Sequence, residues 1–231
     1  MISAAILPSP LGVASSLPVM VLEDGFLVDV VRTTARVLAA LVLASTIGVP
    51  LGLLLGYKKN LYLFLEGPLH ALRSVPATAL FPLLLIVLGV GEASVVAMAA
   101  YPSLLIILVN SATGCALANK NRIYLARLLN LGHIRMIKDI LFYEALPNVL
   151  DGLRTAVSYS LALVVAVEMF VGVDEIGLGR KIYNYQSTYR IPETYASIVV
   201  AGAIGIVLNL ALTVIQNRLL AWLPYEDSEK E

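Results

Sequence analysis

Four stretches of this chain carry no charged residue: positions 37–57 between Arg36 and Lys58, then Ser74 to Gly91, Ala93 to Asn119, and Thr194 to Asn217. A helix of about 20 apolar residues crosses the hydrocarbon core of a bilayer, so each stretch predicts a membrane span. A fifth, from about Leu150 to Val173, follows Arg154 and holds one acid, Glu168. The pattern therefore predicts five spans. Residues 1–22 are also apolar, but Pro8, Pro10 and Pro18 punctuate them and no basic residue precedes them. That reads as a segment lying at the membrane interface rather than a span or a signal peptide.

Five spans place Lys58, Lys59, Lys120, Arg122, Arg127, Arg135, Lys138 and Arg154 on one side, and leave Arg180, Lys181 and Arg190 in the opposite loops. Eight basic residues against three make the first side cytoplasmic by the positive-inside rule, with the C-terminus inside and the N-terminus outside. Arg32 and Arg36, at the outer end of span one, run against the trend.

Composition agrees with lipid as the solvent: 59% of residues are hydrophobic and 14% charged. Sixteen basic residues balance sixteen acidic ones, which leaves no basic field for nucleic acid. Cys115 is the single cysteine, so an internal disulfide and a cysteine-clustered metal site are excluded.

Residues 116–149 are too charged to enter the membrane and too patterned for a passive linker. They read as two short helices, Ile123 to Leu131 and a second in which Ile134, Ile137, Ile140 and Leu141 share a face. Gly132 stands between them as the expected turn, and Pro147 as the end of the second helix and opening of span four. Such an apolar stripe packs on its own chain, on headgroups, or on a soluble partner.

The run Leu128-Leu129-Asn130-Leu131-Gly132, followed by Ala145-Leu146-Pro147-Asn148-Val149-Leu150-Asp151-Gly152, resembles the EAA segment of ABC importer permeases. Ile6 to Pro10, Gly48 to Gly56, Arg73-Ser74-Val75-Pro76, Gly89 to Ser94, Glu168-Met169 and Ile176 to Gly179 are similar, in order, to stretches of the nitrate, sulfonate, taurine and bicarbonate group. The acid that names the EAA segment is missing, since Ala126, Arg127 and Leu128 stand in its place. The resemblance implies an all-α integral membrane protein: a type I ABC importer (MetI-like) transmembrane domain of about five helices with a cytoplasmic coupling-helix pair. It divides the chain into an interfacial segment (1–27), a permease domain (28–223) and an acidic tail (224–231).

It also implies a transport subunit and not an enzyme. The expected partners are an ABC ATPase dimer that holds ATP and Mg2+, a second permease copy, and an external substrate-binding protein. No cofactor is expected on this chain. The implied ATPase-coupling residues are Ala126, Leu129, Asn130, Leu131, Gly132, His133, Ile134, Arg135, Ile137 and Leu141, with Ile134, Ile137 and Leu141 as the apolar contact.

For the solute path or gate the candidates are Glu168, Asn110, Asn209, Arg73 and Ser74. An acid deep in a span must face protein or water, which suits a gate brace or a hydrogen bond to a neighbouring helix. Arg73, near His70, suits the pathway or a snorkelling position at the interface. Asn110 and Asn209 suit interhelical hydrogen bonds or the path lining, and Gly202, Ala203 and Gly205 suit close helix packing. Gly177-Leu178-Gly179 lacks the lysine and serine of a phosphate-binding loop. A secondary transporter would need internal repeats and several ion-coupling groups in its spans, and an intramembrane protease would need partners for His70 and His133; neither set is visible.

Overall fold

The computed structural model describes residues 7–23, 25–171 and 176–222, which fold into helices joined by short turns. They are α1 (Pro10–Glu23), α2 (Phe26–Tyr57), α3 (Lys59–Ser74), α4 (Phe81–Leu88) after a 3-10 turn (Ala77–Leu80), α5 (Glu92–Ala116), α6 (Lys120–Leu128), α7 (His133–Arg135), α8 (Phe142–Phe170), α9 (Leu178–Ser187) and α10 (Ile191–Leu219). A π turn, Met136–Leu141, fuses α7 to α8, so His133–Phe170 is one 38-residue rod. In lipid every backbone N–H and C=O must be satisfied within the segment, which is why the apolar runs are helical.

Among the described residues four helices are long and apolar enough to cross a membrane: α2, α5, the rod ending in α8, and α10. The second expected span is different. Residues 59–74 and 77–88 form two helices bent by 80° at Val75–Pro76, which make a fifth span only as a broken pair. Pro76 has no N–H to continue the ladder, and it holds Val75 extended, at φ −72° and ψ 118°.

Packing centres on α5. Gly48, Gly52 and Gly56 line one stripe of α2, and a Cβ at Gly52 or Gly56 would overlap the carbonyls of Leu108 or Ala112. Lipid offers no hydrophobic drive between helices, so close backbone approach across small residues holds α2 to α5. On its other flank α5 meets α8 through Gly114, against Ala145 and Asn148, and through Gly152, against Asn110. Val37, Ala40, Ala44, Val95, Met98, Ala99, Ile107, Ala156, Val157 and Val164 fill the core between the three.

Three expectations are corrected here. Pro147 neither ends a helix nor opens one; it lies inside α8, where a span tolerates proline because neighbouring groups satisfy the freed carbonyl. The helix α1 continues through Pro18 and buries Met20 against Phe26 and Leu178. Its 14 residues reach about 21 Å, short of the ~30 Å core. Gly202 does not permit close packing within the chain, since a Cβ there meets nothing within 4 Å, and Gly205 meets only Leu161. Instead α8 and α10 part around a groove of about 760 Å³ lined by Arg154, Leu161, Gly202, Asn209 and Thr213. The acidic tail 224–231 lies outside the described residues.

Candidate functional site

At the end of the bundle where α2 and α5 begin, Glu168 is fully buried and joined to Arg36. Arg36 Nη1 donates to Glu168 Oε1 at 2.7 Å and to the Ile176 carbonyl at 2.9 Å. Its Nε and Nη2 grip Glu92 in a two-pronged bond at 2.7 and 2.6 Å, and Arg32 stands 3.5 Å from the same carboxylate. Thr33 Oγ1 donates to Glu168 at 2.8 Å. Asp29, Thr33 and Arg36 lie four and three residues apart, on one face of α2.

That face also captures the start of α9. The first backbone N–H groups of a helix have no partner inside it. Here Gly177 N donates to Asp29 Oδ1 at 2.6 Å, Leu178 N to Thr33 Oγ1 at 2.9 Å, and Gly179 N to Glu168 Oε2 at 3.0 Å. Three successive N–H groups are thus taken by side chains of α2 and α8. A Cβ on Gly177, whose φ is +143°, would sit 2.6 Å from the Glu168 carboxyl carbon. The loop is a lock on the protein's own carboxylates, not a phosphate cradle.

The opposite end carries the segment of residues 120–141. Asn119 caps α6, its Oδ1 accepting from Asn121 N at 2.9 Å. At its close Leu131 N bonds to the Ala126 carbonyl and Asn130 N to that of Arg127, with Asn130 left-handed at φ 53°. That is a Schellman ending, and asparagine is the residue after glycine that takes this conformation most readily. So Asn130 makes the turn expected of Gly132, which has an ordinary φ of −65° and open space where a Cβ would be.

The expected coupling residues divide into two sets. Ala126 and Leu141 are buried with Met136, Ala145, Leu53 and Cys115, and Leu131 and Ile137 pack on that cluster. Leu129 and Ile134 are 75% and 82% exposed, and Asn130, Gly132, His133 and Arg135 are exposed beside them. Ile134 therefore does not share the buried face. Across the π turn Met136 takes the inward place of Ile134, while Leu141 is buried and Ile137 and Ile140 pack on the cluster as expected. The segment is tied down at both ends: Arg122 pairs with Glu144 of α8, and Tyr57, at the end of α2, shares a 2.6 Å hydrogen bond with His133 Nδ1.

The remaining candidates lie along the bundle between these two ends. Arg73 and Asn110 line one cavity of about 450 Å³ at the α3 break, with Thr78, Tyr101, Thr155 and Tyr159. Tyr101, tenth in α5, donates to the Leu72 carbonyl at 2.8 Å. This bond ties residue 72 to a point about 14 Å along α5 from its Glu92 end, so Arg73 lies beside the body of that helix and not beside either end. A cation facing lipid near the centre of a bilayer costs about 2.5–3.5 kcal/mol. Ser74 Oγ donates back to His70. Asn110 and Asn209 each donate to their own helix, to Ile106 and Gly205, instead of across to a neighbour. Asn209 lines the α8–α10 groove, where Arg154 donates to Thr213 and Gln216.

Sequence reasoning found Glu168 and missed Arg36, Glu92, Asp29 and Thr33. The available signal was three polar side chains, Asp29, Thr33 and Arg36, spaced four and three apart on one stripe of a long, mainly apolar helix.

A bundle of long apolar helices with a buried ionic lock at one end and a tethered polar segment at the other is that of a polytopic membrane protein. Residues 48–223 match the family described as binding-protein-dependent transport system inner membrane component, and the chain belongs to it. It is a permease subunit, not an enzyme. The chain is 26% identical over 227 residues to the taurine transport system permease protein TauC of Escherichia coli, covering 96% of this chain and 82% of that one. It is 25% identical over 198 residues to the nitrate import permease protein NrtB of a Synechocystis species, covering 86% and 71%. Its fold is similar to a chain of the MetNI methionine ABC transporter solved in inward-facing conformations, with a TM-score of 0.71 and 19% identity over 83% of this chain and 94% of that one.

Proposed function

We propose that this permease forms the path for a small oxyanion or organosulfonate, such as nitrate, bicarbonate or taurine, in an ATP-driven importer. A second copy of the chain completes the path, an external binding protein delivers the solute, and a separate ATPase dimer carrying ATP and Mg2+ drives the cycle. The 120–141 segment faces the cytoplasm, where the excess of Lys and Arg belongs, and α9 faces outward.

One observation carries this reading. Leu125, Leu128, Leu129 and Ile134 are 57–82% exposed on a charged segment that is locked to α2 and α8 by Tyr57–His133 and Arg122–Glu144. Apolar side chains grouped outside the lipid-facing bundle call for a protein partner. Because His133–Phe170 is one rod, a push on that patch reaches Glu168 at the far end. Glu168 then acts as a brace of the outer gate, and Arg73, Ser74, Asn110 and Asn209 as groups along the path.

Purification of the chain from membranes under mild detergent is the test. An ATPase subunit should accompany it, and hydrolysis should rise with one loaded binding protein. A chain that purifies alone and transports without nucleotide would overturn the reading.

A further inference from the structure

The cavity at the α3 break carries a second inference, which rests on the chain being a solute path and adds what that path recognises. Its lining holds one cation, Arg73, and five neutral polar residues, Thr78, Tyr101, Asn110, Thr155 and Tyr159, with no Asp or Glu. Glu168 and Glu92 are paired with Arg36 and Asp29 with Lys181, while Asp151, one turn from Thr155 on α8, accepts from Gln216 at 3.4 Å and Glu66 of α3 lines a separate cavity beside Tyr57 and Tyr62. Among the described residues no acid pairs with Arg73, which is exposed in the single chain. A guanidinium beside the body of a span with no carboxylate partner needs water or an anion.

The backbone supports the same assignment. A span broken within the membrane around an irregular turn is tolerated only where it is buried in protein or lines a wet cavity, and such breaks are where transporters hold small ions. Here the break is Val75–Pro76, and both residues line the cavity. We propose that this cavity is a transient coordination site for a small oxyanion, with the Arg73 fork supplying charge and two parallel N–H donors. Thr78 and Tyr159 offer hydroxyls to the remaining oxygens. About 450 Å³ admits a planar or tetrahedral group of a few atoms.

The test reads the cavity's potential directly. With Cys115→Ser removing the native thiol, Thr155→Cys becomes the single thiol of this chain in the purified complex, reconstituted in liposomes, and its modification is read on the isolated permease band. Anionic methanethiosulfonate ethylsulfonate is expected to modify it about tenfold faster than the cationic trimethylammonium reagent. Arg73→Gln should abolish that preference and Arg73→Lys should keep it, and millimolar nitrate or methanesulfonate should slow modification only where the cation is present. A reporter that neither reagent reaches, or a ratio that Arg73→Gln leaves unchanged, would overturn the site. Copurification of an ATPase with the unmodified chain tests the importer reading separately, so the two can fail independently.

Discussion

Replacing Arg36 with methionine removes the hub of the ionic lock while keeping most of its volume. Three contacts disappear at once: the 2.7 Å bond to Glu168, the 2.9 Å bond to the Ile176 carbonyl and the paired bonds to Glu92. Glu92 retains Arg32 nearby, but Glu168 stays buried without a counter-charge. Breaking a buried pair from one side costs about 3–5 kcal/mol. At about 2–4 °C per kcal/mol for a chain of this size, unfolding should fall by about 6–20 °C. Glu168→Gln leaves Arg36 its Glu92 partner and one oxygen still accepting, but turns the other into a donor facing Arg36 or Gly179 N; it should lose less, about 1.5–3 kcal/mol. The double variant Arg36→Met with Glu168→Gln should lose less than the two single changes added, because Glu168 is then no longer a stranded charge.

Cys115 supplies the assay: it is the single cysteine and only 3% exposed, so a dye that fluoresces on reaction with thiols reports its release on heating. If Arg36→Met unfolds within 2 °C of the parent, or Glu168→Gln is the more damaging change, the lock does not hold the bundle as described; the 2 °C margin is roughly one half to one kcal/mol.

Three further outcomes follow from the packing and the turn geometry. Gly52→Leu should prevent a stable fold, since its side chain would enter the Leu108 carbonyl, whereas Gly202→Leu should leave the thiol-release temperature unchanged. Gly132→Trp, at an exposed position where an added Cβ meets nothing within 4 Å, should fold normally yet uncouple ATP hydrolysis from uptake; unimpaired uptake would remove Gly132 from the docking surface. Gly177→Ala should lower stability by about 1–3 kcal/mol through backbone strain and contact with Glu168, measured by the same dye.

The spans were largely legible because lipid forces a simple rule on them: α2, α5 and α10 are each built around a charge-free run, though α2 extends eleven residues before its run and takes in Asp29, Arg32 and Arg36. Where a local signal competed with that rule, the sequence misled. Pro76 breaks a run that looked continuous, while Pro147 and Pro18 sit inside helices whose neighbours hold them. Gly132 drew attention as a turn residue although Asn130 adopts the left-handed backbone. The lock was half legible. A lone acid in a span announces a partner, but Arg36 lies 132 positions away from Glu168, and no local periodicity encodes that pairing. Arg36 instead looked like the boundary of span one, although α2 begins ten residues earlier, at Phe26.

The account turns on what touches the exposed patch of the 120–141 segment in the working complex. A photo-crosslinking residue placed at Ile134 and activated in intact membranes during transport should join the chain to its nucleotide-hydrolysing subunit, and the yield should change with ATP. A crosslink to the external binding protein, or to lipid alone, would contradict it.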